Sequence, residues 1–238
     1  VPPAAVIGAV GYRATRVDGH TVGVYSNSAY VLDGNENVVG RVNKTHLVPF
    51  GEYVPWPLGA IVRQIVPIGG TEPGDDYVAY PVKVQTSSGA RDVKLGVTIC
   101  YEGIFPEIAR RLRKAGAEIH VNITNDGWYG ISGAATQHLD FYALRAVESG
   151  MPVVRAANTG RSAWIDTRGR IHEPTDIYVD RALVADVPIA NASTLYVALG
   201  EWLSLPLTVF VLFAWFFAMV GGDVLRRKRA ALDNVLGF

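Results

Sequence analysis

The chain has 238 residues, 49% of them apolar, with 25 glycines and 13 prolines, a composition that excludes a disordered chain and suits an ordered α/β or β-rich domain. Lysine plus arginine and aspartate plus glutamate each total 22, so the net charge offers nothing to a nucleic-acid partner. The single cysteine, Cys100, rules out an internal disulfide framework.

The chain opens on Val1 with no signal-peptide pattern and enters a strand-like run, Ala5–Val10, at once, so it is expected to be a piece of a longer protein. A second strand is expected over Val22–Leu32, ended by the turn pair Asp33-Gly34. The string KTHLVPFGEYVP then sets Lys44 and Glu52 on either side of Pro49 and Gly51, which fix an irregular, rigid loop instead of a helix face. A lysine aimed into a site can bind a developing oxyanion, and a carboxylate can orient that lysine. Taken alone, the pair reads as a weak surface salt bridge and His46 as a structural hydrogen-bonder.

Residues Pro57–Pro81 mix apolar side chains with Gly69-Gly70, Pro73-Gly74 and Asp75-Asp76. A stretch this long is either a mobile lid that greets a lipid chain or an excursion packed on the domain. The apolar run Val93–Ile99 predicts a strand that ends on Cys100, with Tyr101, Glu102 and Gly103 before a helix over Phe105–Ala115. A nucleophile on a strand-to-helix turn is exposed at the sheet edge with backbone N–H groups close by, which suits attack on a carbonyl. A lone cysteine with no such neighbours is more often a small buried hydrophobe.

Ile119–Ile123 predicts another strand, feeding the loop NDGWYG. There Asn125 and Asp126 suit a turn and Trp128 suits the wall of a pocket. A helix is expected over Thr136–Ser149, with Gln137, His138 and Arg145 placed to brace the same loop. Strands follow at Val153–Ala157, Ala163–Asp166 and Ala182–Val187, and the whole mixes strands and helices without a simple βαβ repeat. Residues 1–195 are thus expected to form one globular part.

Residues 203–222 carry no charge, and a run of about 20 apolar residues is what a membrane-crossing helix needs. Trp202 stands at one end, and the basic tail, 223–238, carries Arg226, Arg227, Lys228 and Arg229 at the other. The positive-inside rule puts that tail in the cytoplasm and the globular part on the extracytoplasmic side.

Lys44 with HLVPFGEYVP, Cys100 within ICYE, and NDGWYG followed by Gln137-His138 together resemble the nitrilase (carbon-nitrogen hydrolase) superfamily. HLVPFGEYVP and the terminal apolar segment narrow the resemblance to the apolipoprotein N-acyltransferases, from about residue 4 to residue 229. The resemblance implies a four-layer α-β-β-α sandwich, truncated at its N-terminus, plus one transmembrane helix. It implies that Cys100 is the nucleophile, that Lys44 stabilises the tetrahedral intermediate, and that Glu52 is a second, supporting glutamate. Tyr101 and Glu102 match the pair after the nucleophile, the Tyr101 amide serving the oxyanion.

The family's general-base glutamate belongs upstream of the opening strand. Asp18, Asp33 and Glu36, the first acidic residues here, do not stand in its place, so the chain alone is expected to be inactive. Val42 stands where a tyrosine is expected. The implied reaction moves an acyl chain from phospholipid to the cysteine, then to the α-amine of a diacylglyceryl-cysteine at a lipoprotein's N-terminus. It implies no metal or organic cofactor, a monomer, and the bacterial inner membrane, with the catalytic domain on the periplasmic side. An anchored amidase and a non-catalytic anchored domain of the same fold are the alternatives.

Overall fold

A computed structural model describes residues 2–17, 20–55, 71–75, 77–189 and 193–236, in two units, Val1–Val197 and Ala198–Phe238. The first unit is built on two sheets. In the smaller sheet β1 (Ala5–Val17), β2 (His20–Leu32) and β3 (Val38–Asn43) run antiparallel in the order β1-β2-β3. The β2–β3 turn is closed by Asp33, whose carboxylate accepts the N–H groups of Asn35 and Asn37. Such side-chain bonding to nearby backbone is what makes aspartate a turn residue.

The larger sheet has six strands in sequence order: β4 (Ala79–Thr86), β5 (Gly89–Ile99), β6 (Ile119–Thr124), β7 (Val153–Ala157), β8 (Ala163–Ile165) and β9 (Ile171–His172). Strands β5, β6 and β7 are parallel, and antiparallel strands flank them. The crossovers are α1 (Pro106–Lys114) and α2 (Ala134–Ser149), so β5-α1-β6-α2-β7 is a double βαβ unit. The sequence shows no simple βαβ repeat because hairpins on both sides confine the alternation to three strands. The C-terminal ends of all three parallel strands open at one edge of the sheet.

Ala29, Val31 and Val42 of the small sheet pack against Val82, Val93, Leu95, Val97 and Ile99 of the large one. The helices cover the large sheet's other face, Leu139, Tyr142 and Ala146 on Val153, Ala163 and Ile165, and Ile108 and Leu112 on Ala117 and Met151. Sheet, sheet and helices are three layers of the nitrilase-like sandwich; the second helical layer is not among the described residues. Pro106 opens α1 at a position where its missing N–H costs nothing, and Arg111, Arg113 and Lys114 meet the negative end of the helix. Gly150, at φ 65°, ends α2 by donating its N–H to Ala146 O.

Two expectations change. Ala182–Val187 is not a strand: it has no ladder partner, and Val184 is 91% exposed. The stretch Pro57–Pro81 lies outside the described residues over 57–70 and at 76. Its later part is anchored, since Glu72 and Gly74 donate their N–H groups to Tyr25 O and Lys44 O, and β4 begins at Ala79.

In the second unit α4 (Ser204–Leu236), which follows the short α3 (Leu195–Leu199), contains Ser204–Gly221 with mean hydropathy 2.0. Among the described residues it is the one helix long and apolar enough to cross a membrane.

Candidate active site

Cys100 follows the last residue of β5 and takes φ 57°, in the left-handed region that side chains with a Cβ rarely adopt. The chain then turns through a single 3-10 segment, Cys100–Ile104, into α1. Glu102 fixes this elbow. Its carboxylate is 2% exposed; Oε2 accepts the N–H of Ile99 at 2.8 Å. Oε1 accepts the N–H of Thr45 at 2.6 Å, the Thr45 hydroxyl at 2.8 Å and the N–H of His46 at 3.1 Å. One buried side chain therefore ties the strand carrying Cys100 to the loop carrying Lys44.

Lys44 lies just past β3, with its N–H bonded to Asn27 O and its side chain 1% exposed. Its Nζ donates to both oxygens of Glu52 at 2.8 Å. Glu52 also accepts Nδ2 of Asn27 on Oε1 and the N–H of Val48 on Oε2 at 2.8 Å. Each carboxylate oxygen thus serves two donors, an arrangement that holds a cation and leaves no free lone pair for proton abstraction. The Lys44 ammonium also stands 5.4 Å from the centre of the Tyr101 ring, whose hydroxyl donates to Leu47 O. Burial raises the Tyr101 hydroxyl above the ordinary tyrosine range, so it stays a donor.

Cys100, Lys44 and Glu52 open on one cavity of about 840 Å³, walled by Gly8, Val10, Ile123, Asn125 and Trp128 among others. Asn125 holds the turn by accepting the N–H of Gly127 at 3.0 Å, and Trp128, 89% exposed, stands at the rim. Tyr101 and Glu102 are not in the lining; they support it from behind. Among the described residues Glu52 is the one carboxylate in the lining, and no three His, Cys, Asp or Glu side chains gather as a metal site.

Behind the lining residues lies a buried polar cluster that sequence spacing does not bring together. Arg155, 2% exposed, donates to Asn122 Oδ1 and to Asp126 Oδ2, both at 2.6 Å. His138 Nδ1 meets Asp126 Oδ1 at 3.0 Å. Burial raises the Asp126 carboxyl, but the His138 hydrogen bond and the Arg155 charge outweigh it and leave it below the usual range. Burial holds His138 below the ordinary histidine value.

Of the three side chains expected to brace the loop, His138 does so through Asp126, and Gln137 is exposed. Arg145 serves the elbow instead, donating to Ile104 O and pairing with Glu148. A signal was present in β6: His120, Asn122 and Thr124 alternate, and these are its buried face. Alternation alone reads them as the solvent side.

The carbon-nitrogen hydrolase family model matches residues 3–194. An apolipoprotein N-acyltransferase of Geobacter metallireducens is 40% identical over 194 residues, covering 81% of this chain and 36% of that protein. Another, of Bradyrhizobium diazoefficiens, is 39% identical over 199 residues, covering 81% and 35%. The chain thus spans about a third of the length of these curated relatives. Among solved structures, a carbon-nitrogen hydrolase from Helicobacter pylori superposes with a TM-score of 0.49 at 18% identity, over 72% of this chain and 59% of that one. With its family-model match running from the first strand of the small sheet past the last strand of the large one, the chain belongs to the carbon-nitrogen hydrolase family.

Proposed function

We propose that this chain is the acyl-transferring part of an apolipoprotein N-acyltransferase. The observation that carries the reading is the shared cavity: a cysteine on a left-handed elbow faces the same space as a buried lysine held by a saturated carboxylate. The Cys100 thiolate attacks the ester carbonyl of a phospholipid. Lys44 stabilises the tetrahedral oxyanion, and the ester oxygen leaves as the lysophospholipid hydroxyl, taking the proton that the thiol gave up, so a thioester remains. The α-amine of a diacylglyceryl-cysteine at a lipoprotein's N-terminus then attacks the thioester and forms the amide, and the proton it loses returns to the departing sulfur, restoring the thiol.

Glu52 orients Lys44, Glu102 holds the elbow to the lysine loop, and Asn125 and Trp128 shape the acyl end. The resemblance assigns the proton acceptor for the thiol to a glutamate upstream of the opening strand, and Glu52, the one carboxylate in the lining among the described residues, already has both oxygens engaged. The apolar helix anchors residues 1–195 to the extracytoplasmic face of the inner membrane, with the tail 223–238 in the cytoplasm. Tethering there concentrates the site among lipid donors and lipid-anchored acceptors.

The test is intact mass of the full-length protein after incubation with phospholipid, wild type against Cys100→Ala. A fatty-acyl adduct on the wild type alone, discharged by a diacylated lipopeptide, is expected. An adduct discharged only by water would indicate an anchored amidase, and no adduct on folded, membrane-inserted protein would indicate a non-catalytic domain.

A further inference from the structure

The carbonyl of Cys100 is met by side chains, and those side chains are interior. The hydroxyl of Tyr142, on α2, donates to Cys100 O at 2.8 Å. Nδ2 of Asn122, on β6, donates to the same oxygen at 3.1 Å. Both residues are fully buried.

One cation aligns the two donors. Arg155 donates to Oδ1 of Asn122, which prevents the amide from flipping, since a flip would turn its NH2 onto the guanidinium. The same guanidinium lies 4.9 Å from the centre of the Tyr142 ring. Arg155 is itself held by Asp126. The elbow rests directly on the ring: a Cβ on Gly103 would come within 2.1 Å of Tyr142. Burial pushes the Tyr142 hydroxyl well above the ordinary tyrosine range, so it remains a donor wherever the enzyme works.

We infer that Tyr142 and Asn122, aligned by Arg155, are positioning residues that clamp the Cys100 carbonyl and so keep the nucleophile in its left-handed conformation, aimed into the cavity. Turning a peptide plane is the cheap way out of such a conformation, and two donors on one carbonyl oppose that turn. The inference rests on the reading of Cys100 as the nucleophile. It adds three residues that do not line the cavity.

The experiment measures thioester formation on the full-length protein in single turnover, with melting temperature alongside. Tyr142→Phe removes only the hydroxyl and keeps the ring beneath Gly103 and over Arg155. The acylation rate at saturating phospholipid is expected to fall by about 10- to 100-fold, the scale for a reacting atom displaced by about an ångström, with half-saturation unchanged.

Asn122→Asp keeps the oxygen that faces Arg155 and loses the donor to Cys100 O. It is expected to act in the same direction, and it serves as the second variant should Tyr142→Phe fold poorly. A full acylation rate in either folded variant would overturn the clamp while leaving Cys100 as the nucleophile. Rate, half-saturation and melting temperature falling in proportion would assign the two side chains to general stability and also overturn it. A wild type that forms no acyl adduct would instead sink the nucleophile reading beneath it.

Discussion

Glu102→Gln is a sharp test of how the elbow is joined to the lysine loop. The substitution keeps size and shape but exchanges one acceptor oxygen for an NH2 group. Three donors converge on Oε1, two from Thr45 and one from His46, and one donor, the N–H of Ile99, points at Oε2. The glutamine therefore turns its oxygen to Thr45 and His46 and faces the Ile99 N–H with a second donor. The smallest loss is one charge-assisted bond and one stranded buried N–H, about 3 kcal/mol together. For a domain of this size that lowers the melting temperature by about 6–12 °C.

The assay is thermal unfolding of the full-length protein in detergent, followed by tryptophan fluorescence, with thioester formation measured well below the transition. The rate of acylation should also fall, since Lys44 and Cys100 are no longer held in register. A melting temperature within about 2 °C of wild type would refute the reasoning, because a buried donor facing a donor cannot be that cheap. A loss confined to stability, with acylation intact, would show that the tie serves the fold alone.

Glu52→Gln leaves the buried Lys44 ammonium without its charge partner, a change that typically costs about 3–5 kcal/mol, and acylation should be lost more completely than lipid binding measured by flotation with liposomes. Gly103→Ala puts a methyl group into the Tyr142 ring, so thermal melting should show a loss of about 1–3 kcal/mol together with loss of the acyl adduct. Burial and the nearby Arg145 push His120 down to about 3 from 6.5, so it folds neutral. Its contribution to stability is then complete above pH 6.5 and is lost as pH falls toward 3, by about 1.4 kcal/mol per unit. Asp126, depressed below 3.8, adds stability that is complete above that pH and is lost as pH falls through its folded value. Melting temperature should therefore decline on acidification from pH 6.5, and His120→Gln should flatten the upper part of that decline.

Much of the architecture could be read from apolar spacing. β5, β6, β7 and both crossover helices lie where the periodicity puts them, because each buries a continuous stripe. β4 was hidden by Pro81, which reads as a loop residue; β4 is an edge strand, where proline's missing N–H leaves no ladder bond broken on the open side. β3 was hidden by Gly40, whose lack of a side chain is what lets the Tyr80 ring pack beneath it. Ala182–Val187 misled for the opposite reason, since β-favouring residues make a strand only where a partner's edge is free.

At the site, Cys100 stood out as the single cysteine, placed where an apolar strand ends, and Lys44 and Glu52 as a cation and a carboxylate on one loop around Pro49 and Gly51. Asn122, Tyr142 and Arg155 did not, since each lies inside a regular element and its neighbours across the fold give it meaning. Nothing in a linear string says that an asparagine on one strand, a tyrosine on a helix and an arginine on the next strand share one oxygen or one another.

The three parallel strands release their loops at the same edge, one bearing the thiol, one bearing Asn125 and Trp128, one beginning at Asn158. The cavity is therefore walled by separate pieces of chain that leave a common platform. The exposed tips of the loops after β6 and β7 can change without touching β5, but Asp126 at the base of the first must keep its hold on Arg155 if the elbow is to stay as it is.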